Sequence, residues 1–400
     1  MSTDGDRLVQ WHTGKHVHPV YREQLHAVPE GWSYVHTHPA FDDHSSPTKK
    51  ITLHGPLART REPLEVMAFR TLSALGYVHT SRVKLLDGVS LVHSAERFLR
   101  RSPVPYVVDV EHVDLFVLYQ QATYDRPWAR AALRHMMADE RLAFLLPWSD
   151  AARSSVIHRT PHSLRPLIEQ KLRTVYPAAR AMVDRPKGLT TAPLRVLFVG
   201  TQFQAKGGVD ALSAVSMARR EGADVELDVV SYVPDELRAA VTGQRHVRVH
   251  QPGGQDLVRR LYDECDVLLF PSHMDTYGVV VGEAMGYGLP VLAPNHLALS
   301  ELVVHGENGL VFPPENMYWN ADTTCSVRHS YPIPGSYLAR LANPSTKYLM
   351  GIAESITALA EDRQLLSQLS SGALATTSIG RLSVTERQRR LSEIYAAATA

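Results

Sequence analysis

Two acidic residues, Asp275 and Glu283, stand eight positions apart on either side of Gly278. The apolar run at 267–270 is typical of a buried parallel strand, and a helix is predicted to begin near Tyr277. Backbone amides and the positive end of the helix dipole favour an anion there, because glycine lets its oxygens approach the main chain. Eight helical positions span at most ~12 Å. The spacing therefore suits an elongated ligand with a diphosphate between two hydroxyl-bearing ends, such as a sugar nucleotide.

We expect Asp275 to contact the sugar and Glu283 the ribose of such a ligand. A carboxylate can accept hydrogen bonds from both hydroxyls of a ribose. Retaining glycosidases hold their two carboxyl groups only ~5 Å apart. The present pair is therefore interpreted as a binding pair, and Asp275 is also expected to spread charge near the anomeric carbon of the sugar. An ordinary solvated helix face is the alternative.

A second loop, after an apolar run that ends at Gly200, carries Lys206 and Gly207. A lysine there can meet the negative charge of a diphosphate, together with the amides of Gly278 and Val279. A solvated surface lysine is the alternative for this position.

Three segments of the chain resemble motifs of a known family. The acid pair, the strand and Lys-Gly loop at 196–208, and the segment at 301–313 occur in the order found in retaining GT-B glycosyltransferases of family 4, which this chain resembles. The resemblance implies an α/β fold of two Rossmann-like doubly wound domains facing a cleft, with 301–313 as a closing hairpin. It also implies a hexosyltransferase-type enzyme that moves a sugar from a nucleoside-diphosphate sugar to an acceptor hydroxyl with retention, without metal or cofactor.

The resemblance also suggests roles for individual residues. The catalytic set is Lys206, Asp275 and His112. The donor-binding set is Gly200, Thr201, Lys206, Gly207, Tyr277, Gly278, Val279 and Glu283. Two positions depart from the family pattern, because Thr201 stands where relatives commonly have arginine and Asp275 where they usually have glutamate.

Composition narrows the class of protein. A chain of 400 residues indicates two domains. Because 42 basic residues are balanced by 41 acidic ones, the chain lacks the excess of positive charge that is typical of nucleic-acid-binding proteins. Two cysteines give no disulfide framework, the start lacks a signal-peptide core, and no apolar run reaches the ~18 residues of a membrane span. We therefore expect a cytoplasmic protein.

The segment at 184–193, rich in proline, glycine and threonine, is predicted as the linker. The expected domains are an acceptor-side domain at 1–188 and a nucleotide-sugar domain at 189–382 with an insertion at 315–350. A crossover helix at 383–400 is expected to pack back on the first domain. After the linker, strands predicted at 195–199, 225–231, 247–250 and 267–270 alternate with helices predicted at 208–220, 256–264 and 277–286, which favours a doubly wound parallel sheet. The apolar pattern at 352–369 predicts a further helix. The segment at 171–177 resembles the strand that leads to the linker in the family. Residues 1–54 lack a clear apolar strand, so the first strand is expected to be missing.

His112 is the residue of the first half assigned to the site, because it follows a predicted buried strand and matches a histidine of the relatives. A satisfied core histidine is an equal alternative. His93 also lies at a predicted strand end. Ser149 is interpreted first as a helix cap, with a hydrogen bond to a phosphate as the alternative. The histidines near the start, His12, His16, His18, His36, His38 and His44, lack a completing ligand set, so no metal site is predicted.

The aromatic-rich insertion at 315–350 is interpreted first as a flap on its own domain, with a cleft cover or a homodimer contact as alternatives. The arginines at 126, 130 and 134 lie in a helix-like segment. We interpret it first as an ordinary solvated helix, with a peripheral membrane surface as the alternative. The acceptor, whether sugar, lipid or small molecule, stays open. A sugar-nucleotide hydrolase or epimerase of the same fold, and a non-catalytic nucleotide-sugar-binding protein, are the alternative functions.

Overall fold

The computed structural model describes residues 6–13, 19–37, 71, 77–117, 123–124, 126–188, 193–324, 326 and 333–400. It divides into two compact units. The first unit consists of Met1–Pro177, Asp322–Pro334 and Thr385–Ala400, and the second of Ala178–Ala321 and Gly335–Val384.

The first unit is built on a parallel sheet in the order β2-β1-β4-β6-β7, and a small separate sheet pairs β3 with β5. The strands are β1 Arg7–His12, β2 Trp32–His36, β3 Thr80–Ser81, β4 Val89–Ala95, β5 Phe98–Leu99, β6 Tyr106–Val110 and β7 Leu142–Pro147.

The expectation that the first strand is missing was wrong. Strand β1 lies inside the sheet although its sequence is polar and aromatic, because its polar groups find partners there. The Gln10 side chain donates to the Lys84 carbonyl (2.9 Å) and accepts from the Leu86 amide (2.9 Å). The Trp11 ring stacks on His93 with centroids 4.0 Å apart. The hydrogen-bonded Gln10 amide and the stacked Trp11 ring therefore fit an interior strand of the sheet.

The helices of this part of the chain are α1 Pro19–Leu25, α2 Pro127–Met137, α3 Asp150–Arg159 and α4 Arg165–Lys171, with a 3-10 turn at Val113–Val117 after β6. The segment at 171–177, predicted as a strand, runs along β7 without forming a regular strand. Leu172 bridges Leu145, and the Arg173 and Val175 amides donate to the carbonyls of Leu145 (3.0 Å) and Pro147 (2.8 Å). Two apolar clusters, one containing Val92 and Phe116 and the other Val9 and Leu91, form the core of the unit.

The second unit is also built on a parallel sheet, in the order β10-β9-β8-β11-β12-β13. Its strands are β8 Leu194–Gln202, β9 Val225–Tyr232, β10 Val247–His250, β11 Val267–Leu269, β12 Val291–Pro294 and β13 Gly309–Phe312. The chain runs outward from β8 through β9 to β10 and then returns to place β11 on the other side of β8. The strand order therefore reverses between β8 and β11, which is where open α/β sheets bind ligands.

The helices of the second unit are α5 Gly208–Arg220, α6 Asp235–Thr242, α7 Gln255–Glu264, α8 Val279–Gly286, α9 Leu299–Leu302, α10 Gly335–Leu341, α11 Thr346–Glu361 and α12 Arg363–Ser378. The single helix predicted over 352–369 is two helices, because the Asp362 side chain accepts from the Leu365 amide (2.8 Å) and starts α12. The hairpin expected at 301–313 is instead a turn followed by β13, which pairs in parallel with β12.

The segment that follows Pro177 already packs within the second unit, eleven residues before the predicted boundary at 188/189. The Ala179 amide donates to the Leu382 carbonyl (2.8 Å), and the Met182 amide to the Gly286 carbonyl (2.7 Å). Within the insertion, Tyr318, Trp319, Tyr337 and Tyr348 are all buried, and the Tyr318 amide and Tyr337 hydroxyl donate to the His273 carbonyl of the second unit. These aromatic parts therefore pack on the second unit, whereas Asp322–Pro334 belongs to the first. Residues 189–192 of the linker and Tyr331 of the insertion lie outside the described residues.

The last helix, α13 Val384–Ala398, belongs to the first unit from Thr385 onward. Its Leu391, Ile394 and Tyr395 side chains join the core cluster of Val9 and Leu91. Tyr395 is fully buried there and its ring meets Trp32 edge-on at 5.4 Å.

Candidate active site

Two loops of the second unit flank the point where its strand order reverses. The lysine loop, residues 203–207, follows β8, and the acid loop, residues 270–278, follows β11. Both therefore leave the carboxyl ends of adjacent parallel strands.

Gly207 brings the two loops together. Its backbone is left-handed (φ +81°), and a Cβ placed on it would lie 2.2 Å from the Pro271 carbonyl oxygen. Only glycine meets both conditions without strain. The residue is also the N-cap of α5, so the backbone approach that joins the loops sets the start of that helix.

Lys206 and Asp275 are in direct contact across the two loops. The Lys206 Nζ donates to Asp275 Oδ2 (2.5 Å) and to the Met274 carbonyl (2.8 Å), and the Ser272 hydroxyl donates to the same carboxylate oxygen (3.2 Å). An ammonium group has three N–H donors, so these two bonds leave one donor of Lys206 for a phosphate oxygen.

Two helices begin at this edge without a side-chain cap. Helix α5 starts after Gly207 and α8 after Gly278, whose backbone is also left-handed (φ +88°). Orphan amides and the dipole make such helix starts suitable for an anion. Tyr277, just before, is only 3 % exposed, so its side chain packs inside the unit, whereas Val279 is partly exposed.

Glu283 lies exposed on α8, in its second turn. Its Oε2 accepts a hydrogen bond from the hydroxyl of the buried Tyr262 (3.1 Å). Burial and the Glu283 charge raise the pKa of Tyr262 well above 10, so the hydroxyl keeps its proton and orients the carboxylate. Sequence reasoning missed Tyr262, because nothing local in α7 links it to a residue 21 positions later.

Gly200 and Thr201 lie near the end of β8. The Gly200 carbonyl accepts from the Ser231 hydroxyl (2.5 Å), which ties β8 to β9. Thr201 is exposed and uncharged. The cation of the lysine loop is therefore Lys206.

His112 lies in the first unit, just after β6, and is 2 % exposed. Its Nδ1 accepts from the Asp114 amide (3.3 Å) and lies 3.6 Å from Asp114 Oδ2. Burial lowers the pKa of His112 against the opposing effect of the Asp114 charge, so the ring is neutral at pH 7. The geometry fits a partnered core histidine, and a role in the site stays a prediction.

Two other predictions for the first unit can be compared with the structure. His93 does not end a strand but lies inside β4, fully buried, with Nδ1 2.6 Å from the Tyr395 hydroxyl and Nε2 3.1 Å from Asp109 Oδ2. Ser149 is the N-cap of α3, since its hydroxyl accepts from the Ala152 amide (3.0 Å).

Within the described part of the chain, no group of three or more His, Cys, Asp or Glu residues is arranged to hold a metal ion. His16, His18, His38 and His44 lie outside that part. Over the same residues, none of the helices has the length and apolar character needed to cross a membrane.

Comparison with known proteins bears directly on this unit. Residues 193–325, which contain both loops, match the family model described as glycosyl transferases group 1. Solved structures extend the likeness to both units. The chain aligns with a glycosyltransferase from Rickettsia africae ESF-5 with a TM-score of 0.59 and 13% identity, over 99% of each chain. It aligns with Anabaena HepE in complex with UDP and glucose with a TM-score of 0.58 and 14% identity, over 98% of this chain and 99% of that one.

The chain has the GT-B fold and carries a glycosyl transferases group 1 domain. Curated relatives of this GT-B chain match over part of their length. The amylovoran biosynthesis glycosyltransferase AmsK of Erwinia amylovora is 30% identical over 132 residues, which cover 30% of this chain and 32% of that protein. The D-inositol 3-phosphate glycosyltransferase of Pseudarthrobacter chlorophenolicus is 25% identical over 198 residues, which cover 47% and 44%. The match thus spans less than half the length of either relative.

Proposed function

We propose that this GT-B protein transfers a glycosyl group from a nucleoside-diphosphate sugar to an acceptor hydroxyl. The observation that carries the proposal is the contact of Lys206 with Asp275 beside two uncapped helix starts at the sheet's switch point. The Lys206 cation and the amides at the start of α8 can hold a diphosphate there. Glu283 on α8 adds a carboxylate, oriented by Tyr262, for the ribose hydroxyls.

In this mechanism, the diphosphate gains negative charge as the anomeric bond breaks. The remaining Lys206 donor and the amides of Gly278 and Val279 stabilise that charge. Asp275 holds hydroxyls of the donor sugar, and its existing bond to Lys206 keeps the sugar and phosphate subsites at a fixed separation. We propose transfer on one face with retention, in which the departing phosphate oxygen accepts the acceptor's proton.

The proposal further includes a hexosyl donor, chemistry without a metal ion, and a cytoplasmic location. The relatives supply the first nucleotide to test, because the HepE structures contain UDP. The proposed site belongs to the second unit, and we propose that His112 of the first unit contributes on the acceptor side.

The test combines nucleotide binding with turnover. We expect Lys206→Met to weaken UDP binding by roughly 10- to 100-fold, the range for loss of a charge-assisted hydrogen bond of about 1.5–3 kcal/mol. Glu283→Gln should weaken it by about tenfold, since one strong acceptor becomes a weaker one. Lys347→Met and Glu361→Gln, both exposed on α11, are the matched controls and should bind like the wild type. Isothermal titration calorimetry with UDP and GDP measures these changes.

Turnover separates the alternative functions. Release of nucleoside diphosphate from a panel of sugar nucleotides should depend on an acceptor, and NMR of the product should show the donor's anomeric configuration. Acceptor-independent release would instead favour a hydrolase. Wild-type affinity in both site variants would refute the assignment of this site.

A further inference from the structure

His273 of the acid loop is 1 % exposed and lies two residues before Asp275. Its amide donates to the carbonyl of Ala205 (3.1 Å), which is the neighbour of Lys206 in the lysine loop. Its own carbonyl accepts from the Tyr318 amide (2.8 Å) and the Tyr337 hydroxyl (3.3 Å). The backbone of His273 therefore joins both loops of the site to the inserted aromatic segment.

The imidazole of His273 has a hydrogen-bond partner at each nitrogen. Nδ1 lies 2.7 Å from the Glu315 carbonyl oxygen, and Nε2 lies 2.6 Å from Oδ2 of Asp210, which is 1 % exposed in the first turn of α5. A carbonyl oxygen has no proton to donate, so Nδ1 must carry one. The short contact between Nε2 and Oδ2 then requires a second proton, held by the ring or by the carboxyl group.

The pKa shifts of both partners favour retention of that second proton. Burial alone would lower the pKa of His273, but the hydrogen bond and charge of Asp210 outweigh it and the net shift is upward. Burial raises the pKa of Asp210 as well, so the pair retains the second proton between Nε2 and Oδ2. Loss of the proton would leave a nitrogen lone pair facing a buried carboxylate at 2.6 Å, an arrangement that forces the two groups apart.

We propose that His273, held by Asp210, is a positioning residue that fixes the acid loop against the lysine loop, so that loss of one shared proton at alkaline pH weakens nucleotide binding. This inference rests on the proposed function, because the binding it controls is that of the Lys206 and Asp275 site. The inserted segment takes part through Glu315 and Tyr337, which contact the ring and backbone of His273 directly.

Other titratable groups face this pair from each element packed against it. Asp210 lies on α5, Glu315 precedes α10, and the Tyr337 and Tyr348 hydroxyls belong to α10 and α11. Lys206 and Asp275 lie on the two loops themselves. Burial and the charges of Asp210 and Glu315 raise the pKa of Tyr348 well above 10, so that hydroxyl does not titrate in the range of interest.

Asp210→Asn separates a positioning role from a merely structural one. An asparagine amide can donate to Nε2 of a neutral ring that still donates from Nδ1 to Glu315. This variant therefore keeps both hydrogen bonds but no longer needs the second proton. Asp210→Ala removes the partner and leaves the ring nitrogen without a bond, so it reports the loss of positioning. Asp256→Asn, at a fully exposed acid on α7, is the control for a change of charge.

The experiment measures UDP affinity by calorimetry between pH 6.5 and 9.5. Wild type and Asp256→Asn should lose affinity as pH rises through the raised pKa of His273, by up to about tenfold for each pH unit beyond it. Asp210→Asn should bind within about threefold of wild type at pH 7 and should show no alkaline loss. Asp210→Ala should bind at least about tenfold more weakly at every pH. An alkaline loss in Asp210→Asn equal to that of wild type would overturn the inference.

A second measurement does not depend on any ligand. A histidine whose pKa is raised by folding contributes stability that is fully present below its unfolded value of 6.5 and is lost as pH rises through the folded value. Urea unfolding at pH 7 and pH 9.5 should therefore show a larger loss of stability in wild type than in Asp210→Asn, since the other titrating groups are the same in both, and equal losses would overturn the shared proton. A wild-type protein that binds neither UDP nor GDP would refute the proposed function, while the unfolding result would still decide the state of the pair.

Discussion

Replacing Gly207 by alanine should damage both the stability and the binding of the second unit. The left-handed backbone at φ +81° costs an alanine about 1–2 kcal/mol. The added Cβ would also lie 2.2 Å from the Pro271 carbonyl oxygen, and relieving an overlap of that kind costs about 1–3 kcal/mol. We therefore expect the free energy of unfolding to fall by about 2–5 kcal/mol in total.

Gly306 provides a matched control in the same unit. Its φ is +79°, yet a Cβ placed there would meet nothing within 4 Å. Gly306→Ala should therefore lose only the backbone part, about 1–2 kcal/mol. The reduced freedom of the unfolded chain affects both variants alike, so their difference isolates the close approach of the two loops.

Urea unfolding followed by tryptophan fluorescence measures the stability difference, and calorimetry with UDP measures binding. A shift of ~1 Å between the lysine and acid loops could cost roughly 100-fold in function, so Gly207→Ala should bind UDP far more weakly than Gly306→Ala. Equal losses of stability in the two variants, with unchanged UDP affinity, would refute the reasoning that the Gly207 to Pro271 approach builds the site.

Two further predictions concern other parts of the chain. Burial, with the charges of Glu111 and Asp109, raises the pKa of Glu96 from 4.5 to about 8. Because the folded state binds this proton more tightly than the unfolded state, stability falls as pH rises from 4.5 through 8. Glu96→Gln should remove this fall in stability, which at about 1.4 kcal/mol per pH unit amounts to a few kcal/mol. Thermal unfolding at pH 5 and pH 9 measures the fall. An equal fall in the variant and the wild type would contradict the assignment to Glu96. Asp362→Ala should lower stability by about 1 kcal/mol through loss of the α12 cap, measured by urea unfolding, whereas unchanged stability would show that the cap contributes nothing.

The second unit was largely readable from the sequence because its local signals agree with each other. The predicted strand at 247–250 and helix at 208–220 have the observed bounds, and the strand predicted at 267–270 ends one residue earlier. Short apolar runs followed by glycine loops specify such strands strongly. The contact between Lys206 and Asp275 joins the two loops that sequence reasoning had assigned to one site.

The remaining features depend on contacts that no local pattern encodes. Strand β1 escaped prediction because Gln10 and Trp11 find their partners far along the chain, at residues 84–93. The pairing of His273 with Asp210 joins residues 63 positions apart. The break at Asp362 did have a readable signal, since an aspartate ahead of an apolar helical pattern is a usual N-cap. The helix break at Asp362 was therefore predictable from the sequence.

The placement of Tyr395 affects how the protein can be synthesised. Because this ring fills the core beside Val9 and Trp32 of the first unit, a nascent chain emerging from the ribosome cannot complete that core until helix α13 has been made. The second unit, whose residues end at Val384, can fold while the first still waits for its final helix. Vectorial synthesis therefore favours an order of folding in which the first unit completes its core after the second unit has folded.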